Sequence, residues 1–437
     1  MRLTTLAAAV ALAITGLSPT IAFAQSAAPA SDQEIAELRA QVSALIARID
    51  DLEARDEAQS GINIDTAEAL KAQTMTQPKV ETKGGLKVTS SDGAFEMTVG
   101  GRIHFDGYAF DEDQVNTTGT TEFRRARLSL GGKAWGWEYK MEQDFAAGSN
   151  LDGLRDLYIA KKFGLGKLTI GQFKPYRSME ELTSSNEVLM MERPFASATG
   201  LFNGRQFQQG VGYQVSGLNY SIGATAFNLR SAASSRTEGM GASARATWAP
   251  IMTGAQTLHL GGWVSHENAN EGSANLTAAA NYAGRRGPSQ SIATTTGASG
   301  DQVNAYGLEL AGQYGPLFLQ SEFVNATFNQ PLGSDQDVQT YYVQGSWMLN
   351  GGRKVYKAGT GVFGSPKVAE VGLWELTARY DHIDNSDLAN REAESLILGV
   401  NYYINSNLRL MFNYTQGDNE VTGDETAQYA VRTQFNF

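Results

Sequence analysis

From Phe95 to Ala109 the odd positions are Phe95, Met97, Val99, Gly101, Ile103, Phe105, Gly107 and Ala109, and the even ones are Glu96, Thr98, Gly100, Arg102, His104, Asp106 and Tyr108. This is a period of two with one greasy face, the signature of a half-buried strand. The pattern returns in Trp137, Tyr139 and Met141 against Glu138, Lys140, Glu142 and Asp144, and again in Trp374, Leu376, Ala378 and Tyr380 against Glu375, Thr377, Arg379 and Asp381. A soluble sandwich would bury such faces against a second sheet, whereas a membrane barrel turns them to lipid.

Candidate strands begin near Phe95, Thr121, Trp135, Leu154, Lys167, Phe207, Leu218, Gly239, Gln256, Val303, Leu317, Val338, Val371, Ala393, Asn407 and Thr426, sixteen in all. The connections between them alternate in length. They are tight at Gly164 to Gly166, Val215 to Gly217, Gly315-Pro316 and Ile404 to Asn407, and long at Asp111 to Thr120, Asn268 to Gln302 and Gly417 to Glu425. Short periplasmic turns and long external loops make that asymmetry. Gly351 to Lys367 falls on the turn side yet is long and basic, which leaves open a count that differs by two.

Export is written at the N-terminus: Arg2, an apolar stretch from Leu6 to Leu17, Pro19 and the triplet Ala22-Phe23-Ala24 describe a signal peptide over residues 1–24. After Gln25 no run reaches the roughly 18 apolar residues of a spanning helix. With no Cys there is no disulfide framework, so closed backbone pairing must stabilise the exported chain. A net charge of -11 argues against a nucleic-acid partner.

Before the strands, Ile35, Leu38, Val42, Leu45, Ile49 and Leu52 step by three and four, a heptad seam, with Ser31 and Glu34 spaced as a capping box. The expectation is a short coiled coil over residues 31–60 and a polar linker over 61–83, followed by the barrel over 84–437. Three heptads are marginal alone. They fit a chain already held in an oligomer, or alternatively a segment that anchors the outer membrane to the cell wall.

Enzyme readings find no support: His104, His259, His266 and His382 are scattered singly, without metal-ligand spacing, and no nucleophile triad stands out. A barrel hydrolase acting on lipids would need a Ser and a His together on the outer face. No cofactor or metal is expected.

The connection from Lys174 to Arg205 is too long for a hairpin, and after a fifth strand such a loop can fold inward and narrow a pore. It holds Lys174, Arg177, Glu181, Ser184, Ser185, Glu192, Arg193 and Arg205, both signs of charge and two adjacent hydroxyls, which would set charge preference at close quarters. Arg102, Arg125 and Arg127 share lumen parity. They either form a positive track for anions or neutralise lumen carboxylates such as Glu138 and Asp144.

Together with Thr82-Lys83-Gly84-Gly85-Leu86, Gly100-Gly101-Arg102 and Phe123-Arg124-Arg125-Ala126, this loop resembles the constriction region of the phosphate- and pyrophosphate-selective porins, the porin O and P type. The resemblance implies an all-β, 16-stranded antiparallel transmembrane barrel in the outer membrane of a Gram-negative bacterium, preceded by a short periplasmic coiled coil and assembled as a homotrimer. It implies an anion site made from Arg193, Ser184, Ser185 and Asp156. Guanidinium donors in a fork fit phosphate oxygens, and a carboxylate accepts from a protonated phosphate.

Two positions depart from that family: Glu181 and Gly93 stand where its phosphate-selective members carry Lys. A carboxylate about 4 Å from a bound anion, at an effective dielectric near 20, would oppose it by about 4 kcal/mol. The terminal Phe437 resembles the signal that such barrels present to their insertion machinery. The function expected is passive diffusion of small solutes, anion- or phosphate-preferring.

Overall fold

The computed structural model describes residues 31–82, 85–149, 152–198, 206–231, 235–368, 372–389 and 391–437. The signal peptide, Lys83, Gly84 and Arg205 lie outside the described residues. The chain divides into two units, residues 1–77 and 78–437.

In the first unit, α1 runs from Asp32 to Thr76, 45 residues with none buried. Its start is the expected capping box: Ser31 Oγ accepts from the Glu34 amide and the Glu34 carboxylate accepts from the Ser31 amide. The helix does not stop near Ser60. Residues 62–76 lack a heptad, but Ala67 to Gln73 are all good helix formers and no Pro intervenes before Pro78, so intrinsic propensity carries the helix where periodicity lapses. The span read as linker is therefore mostly helical. The seam from Ile35 to Leu52 stays exposed along its length.

In the second unit sixteen strands form the wall: β1 (Phe95–Asp111), β2 (Thr120–Ala134), β3 (Trp137–Asp144), β4 (Leu154–Phe163), β5 (Gly166–Phe173), β6 (Gln208–Ser216), β7 (Tyr220–Asn228) and β8 (Met240–Met252). They continue as β9 (Gln256–Asn268), β10 (Gln302–Tyr314), β11 (Leu317–Asn329), β12 (Gln336–Met348), β13 (Leu373–Asn385), β14 (Glu392–Tyr403), β15 (Leu408–Asn419) and β16 (Ala427–Asn436). Each pairs antiparallel with the next. β16 pairs back onto β1, with Tyr429 opposite Ala109 and Phe435 opposite Ile103, so the barrel has no open edge. Every strand begins within two residues of the position read from alternation.

Polarity is inverted relative to a soluble domain. Ile103, Phe105, Phe123, Leu308, Leu319, Leu396 and Phe412 stand exposed on the outer wall, while His104, Asp106, Glu142, Arg245, Glu309, Arg379 and Arg432 are buried inside. Only a lipid-facing wall reconciles both.

Three connections fill the lumen. After β5, residues 174–207 carry two one-turn helices, α2 (Met179–Leu182) and α3 (Phe195–Ala198). After β9, residues 269–301 carry a hairpin, Thr277–Ala280 with Gln290–Thr294, whose Leu276, Tyr282 and Ile292 pack with Trp263, Phe328, Tyr342 and Ile383. After β12, the long basic connection forms a small hairpin, Val355–Lys357 with Val362–Gly364. These two three-residue strands do not span the wall, so the count stays at sixteen. Val362 and Phe363 pack on Met179, Leu189 and Phe318, and Lys354 pairs with Glu375 at 3.2 Å, which draws the segment inside.

The wall is uneven. β3 to β7 have 8, 10, 8, 9 and 9 residues. β8 to β13 have 13 each.

Candidate functional site: an arginine-lined constriction

The loop after β5 is fixed first by its own termini. The Met179 and Glu180 amides at the start of α2 donate to the Glu322 carboxylate of β11 at 3.0 and 2.8 Å, an acidic cap on otherwise unpaired amides. Its far end is closed by cations. Arg193 donates to the carbonyls of Glu180 and Thr183 at 2.7 and 2.8 Å, and Lys174 reaches the carbonyls of Glu181 and Thr183. Farther along, Arg409 of β15 donates to the Val188 and Leu189 carbonyls, Arg432 of β16 to that of Met191 and Arg379 of β13 to that of Glu192.

This geometry places the loop residues named from sequence. Arg193 lines the central cavity, but two of its donors are spent on backbone. Lys174 is turned into the loop, where burial pulls its amine well below its ordinary range. Arg177 is fully buried, bonded to Ser265 and Glu267 of β9 at 2.9 and 2.7 Å, with Glu181 at 3.5 Å. Glu181, read as a repulsive neighbour of a bound anion, is fully buried against Arg177 and does not line the cavity. Burial raises its carboxyl above the usual range, even with Arg177, Lys174 and Arg193 pulling it down.

Ser184 and Ser185 both accept from Arg102 Nη1, at 3.2 and 2.9 Å, and Arg102 Nη2 donates to Glu142 at 3.0 Å. Glu142 also takes Arg127, which holds Asp144 through its Nε at 2.8 Å. Asp156 pairs with Lys140 and does not line the cavity. Arg102, Arg127, Ser184 and Ser185 are thus one connected set; Asp156, Lys174 and Arg177 lie off it.

Above the loop is a cavity of about 810 Å³ whose lining includes eight arginines and five carboxylates. Arg124, missed by parity, is among them. The register of β1 against β2 slips between His104 and Phe105, because Arg125 faces His104 and Phe123 faces Phe105 with Arg124 left over. That bulge turns two consecutive arginines inward. The sequence held the signal: Arg124 beside Arg125 would otherwise face lipid, at about 2–4 kcal/mol near the bilayer midplane. Arg285 and Arg286, on the folded-in connection after β9, also line the cavity and both pair with Glu122.

Most of these charges are matched. Arg124 grips Glu192 through two bonds at 2.7 and 2.9 Å, and Arg432 holds Asp106 and reaches Glu192 at 3.1 Å. Burial alone would raise the Glu192 carboxyl, but Arg124, then Arg125 and Arg432, outweigh it and hold it well below the usual range. Arg125 is different. It lines the cavity at 6% exposure, its Nη1 is hydrogen-bonded with His104 Nδ1 at 3.5 Å, its Nε has no partner, and among the described residues it makes no ion pair.

Residues 97–437 match the family described as phosphate-selective porin O and P. Porin O of Pseudomonas aeruginosa is 28% identical over 407 residues, covering 82% of this chain and 92% of that protein. Among solved structures, the anion-selective porin from Comamonas acidovorans superposes with a TM-score of 0.54 at 13% identity, over 78% of this chain and 99% of that one. OmpT, an outer-membrane protein of Vibrio cholerae folded in vitro, does so with a TM-score of 0.53 at 12% identity, over 79% and 98%. At these identities the two structures speak for the fold alone. With a closed sixteen-strand barrel, a lipid-facing outer wall and a constriction folded into its lumen, the chain belongs to the phosphate-selective porin O and P family and is a passive outer-membrane channel.

Proposed function

We propose that this porin passes small anions in preference to cations, with phosphate-type oxyanions held transiently where Arg125 faces the cavity. The single observation that carries the reading is a buried guanidinium that makes no ion pair among the described residues, set among arginines whose own partners are fixed. A desolvated cation with no carboxylate bonded to it attracts an anion more strongly than one whose donors are spent on a carboxylate, and its planar donors suit tetrahedral oxyanions. The family's description as phosphate-selective and the Comamonas porin's as anion-selective run the same way. Arg102, Arg127, Ser184 and Ser185 continue the polar path, while Arg193, Lys174 and Arg177 keep the constriction loop in shape.

The test is a reversal potential across a planar bilayer under a salt gradient, followed by phosphate titrated against the chloride current. The expected result is a potential on the anion side and a block by phosphate that weakens in Arg125→Ala. A cation-selective potential would refute the reading.

We further infer a homotrimer. Eight-residue strands tilted by about 40° rise only about 20 Å, short of an apolar band about 25 Å tall, whereas thirteen residues clear it. The low wall of β3 to β7 therefore needs protein against it, and the heptad seam of α1 offers a second contact between copies. A trimer form is among the Vibrio OmpT structures that share the fold, with a TM-score of 0.52. Phe437, exposed at the end of the closing strand, suits recognition by barrel-insertion machinery.

A further inference from the structure

On β13 and β14 the outward-facing residues run Trp374, Leu376, Ala378, Tyr380, His382, Asp384 and Leu398, Leu396, Glu394, Glu392. Apolar side chains give way to a tyrosine and then to charge. Tyr341 of β12 stands beside His382, with ring centroids 5.1 Å apart, so aromatic side chains mark the outer interfacial girdle and the charged group sits just beyond it, at headgroup level.

Register brings the charged residues together. His382 lies opposite Glu394 and Asp384 opposite Glu392. His382 Nδ1 is 3.2 Å from Glu394 Oε1 and 3.4 Å from Glu392 Oε1, and one ligand atom from each of the three falls within 4.8 Å of the others. Donors at 2.0–2.2 Å from a common ion are about 3–4 Å apart. The surroundings also follow the pattern of a metal centre. The far nitrogen, Nε2, faces Asp384 Oδ1 at 3.4 Å, which would fix the tautomer that leaves Nδ1 free to coordinate, and Tyr380 donates its hydroxyl to Glu394.

We propose that His382, Glu392 and Glu394 bind a divalent transition-metal ion on the outer wall of the barrel, with Asp384 as the positioning residue for the imidazole. One nitrogen and two carboxylate oxygens on one face suit a borderline ion such as Zn²⁺ or Co²⁺ and leave the outward coordination positions open. The ion would also offset the carboxylates that this patch presents next to an anionic lipid surface, where unneutralised negative charge is unfavourable. The competing arrangement is a protonated imidazole held by three carboxylates, with no metal.

Titration of the purified full-length porin with Co²⁺ alone, followed by visible absorption, separates the two. The expected result is one Co²⁺ per chain with d–d bands shifted and intensified relative to the aqua ion, a change abolished in His382→Asn and in Glu394→Gln. In Asp384→Asn the affinity should fall about 10- to 100-fold, the usual effect of losing an outer-shell partner. His266→Asn, at an outward histidine bonded to Asn304, should bind as before. Unchanged channel conductance in each variant shows that the barrel has folded. No protein-dependent bands beyond those of the free aqua ion up to millimolar Co²⁺, or such bands that survive His382→Asn, would overturn the site.

Discussion

The two sides of the barrel use arginine in opposite ways. On the tall wall Arg245 of β8 is clamped by Glu309 through two bonds at 2.8 Å, while its remaining donors hold the Thr360 and Gly361 carbonyls of the inserted hairpin at 2.7 Å. His259 braces the same carboxylate at 3.1 Å and reaches Tyr356 of the hairpin at 2.8 Å. On β2, next to the low wall, Arg125 has no such partner. Matched charge lines both the packed side and the open cavity; what sets the cavity apart is that Arg125, alone of its eight arginines, makes no ion pair among the described residues. Net charge would have missed this, since the chain as a whole is acidic at -11.

The comparison predicts that the same substitution acts differently on the two sides. Arg245→Ala leaves Glu309 buried beside a histidine, and breaking one half of such a pair costs about 3–5 kcal/mol. The unfolding midpoint in detergent should fall, and conductance should rise and become noisy as the hairpin loosens. Arg125→Ala strands no carboxylate, so the midpoint should barely move while phosphate block weakens about 10- to 100-fold, the equivalent of one charged hydrogen bond of about 1.5–3 kcal/mol. Equal destabilisation by both would erase the distinction.

The outer faces can be contrasted as well. Leu308→Arg on β10 puts a charge into lipid, at about 2–4 kcal/mol. Ile159→Arg on β4 should instead act on assembly, converting trimers to monomers on a native gel at unchanged barrel stability. Monomers from the Leu308 variant, or intact trimers from the Ile159 variant, would move the interface off the low wall.

A smaller effect is expected at Glu192, which ties Arg124 and Arg432 to the constriction loop. Glu192→Gln should cost about 1–3 kcal/mol through weakened charged bonds, and it should raise anion selectivity because Arg124 loses its bonded counter-charge, while Arg432 keeps Asp106. The pH dependence has a definite sign. The carboxyl is held low in the folded state, so its stabilisation is complete above its unfolded value near 4.3 and is lost as pH falls through the lower folded one. The part of the selectivity set by Glu192 should be flat from about pH 8 to 5 and change only in stronger acid.

How much of this could be read from sequence depended on the range of the interaction. Alternation is local, so each of the sixteen wall strands was visible, while the short strands of the inserted hairpins were not. Loop length is local too, and the connection after β5 stood out. What Arg193, Lys174 and Arg177 do was not visible, because a one-turn helix leaves carbonyls that need donors, and only the folded loop shows which cations supply them. Arg124 required the bulge. Glu181 looked like a misfit in the pore because its parity in a loop is undefined; burial against Arg177 removes it. The four histidines looked isolated along the chain, yet antiparallel register sets His382 beside Glu392 and Glu394, which no spacing along one strand reveals.

The smallest effect separates the helix from the channel. Ser31 caps α1 with a reciprocal bond to Glu34, and replacing such a cap by Ala costs about 1 kcal/mol at that end of the helix. Since α1 buries nothing and its first turn is held by the cap alone, Ser31→Ala in the full-length protein should speed amide exchange over residues 32–38 and leave the rest of the chain protected as before. On the proposed reading conductance and phosphate block are set by β1, β2 and the constriction loop, so they should not change. A shift in block would mean that the helix reaches the pore; unaltered exchange would mean that a partner, not the cap, holds its start.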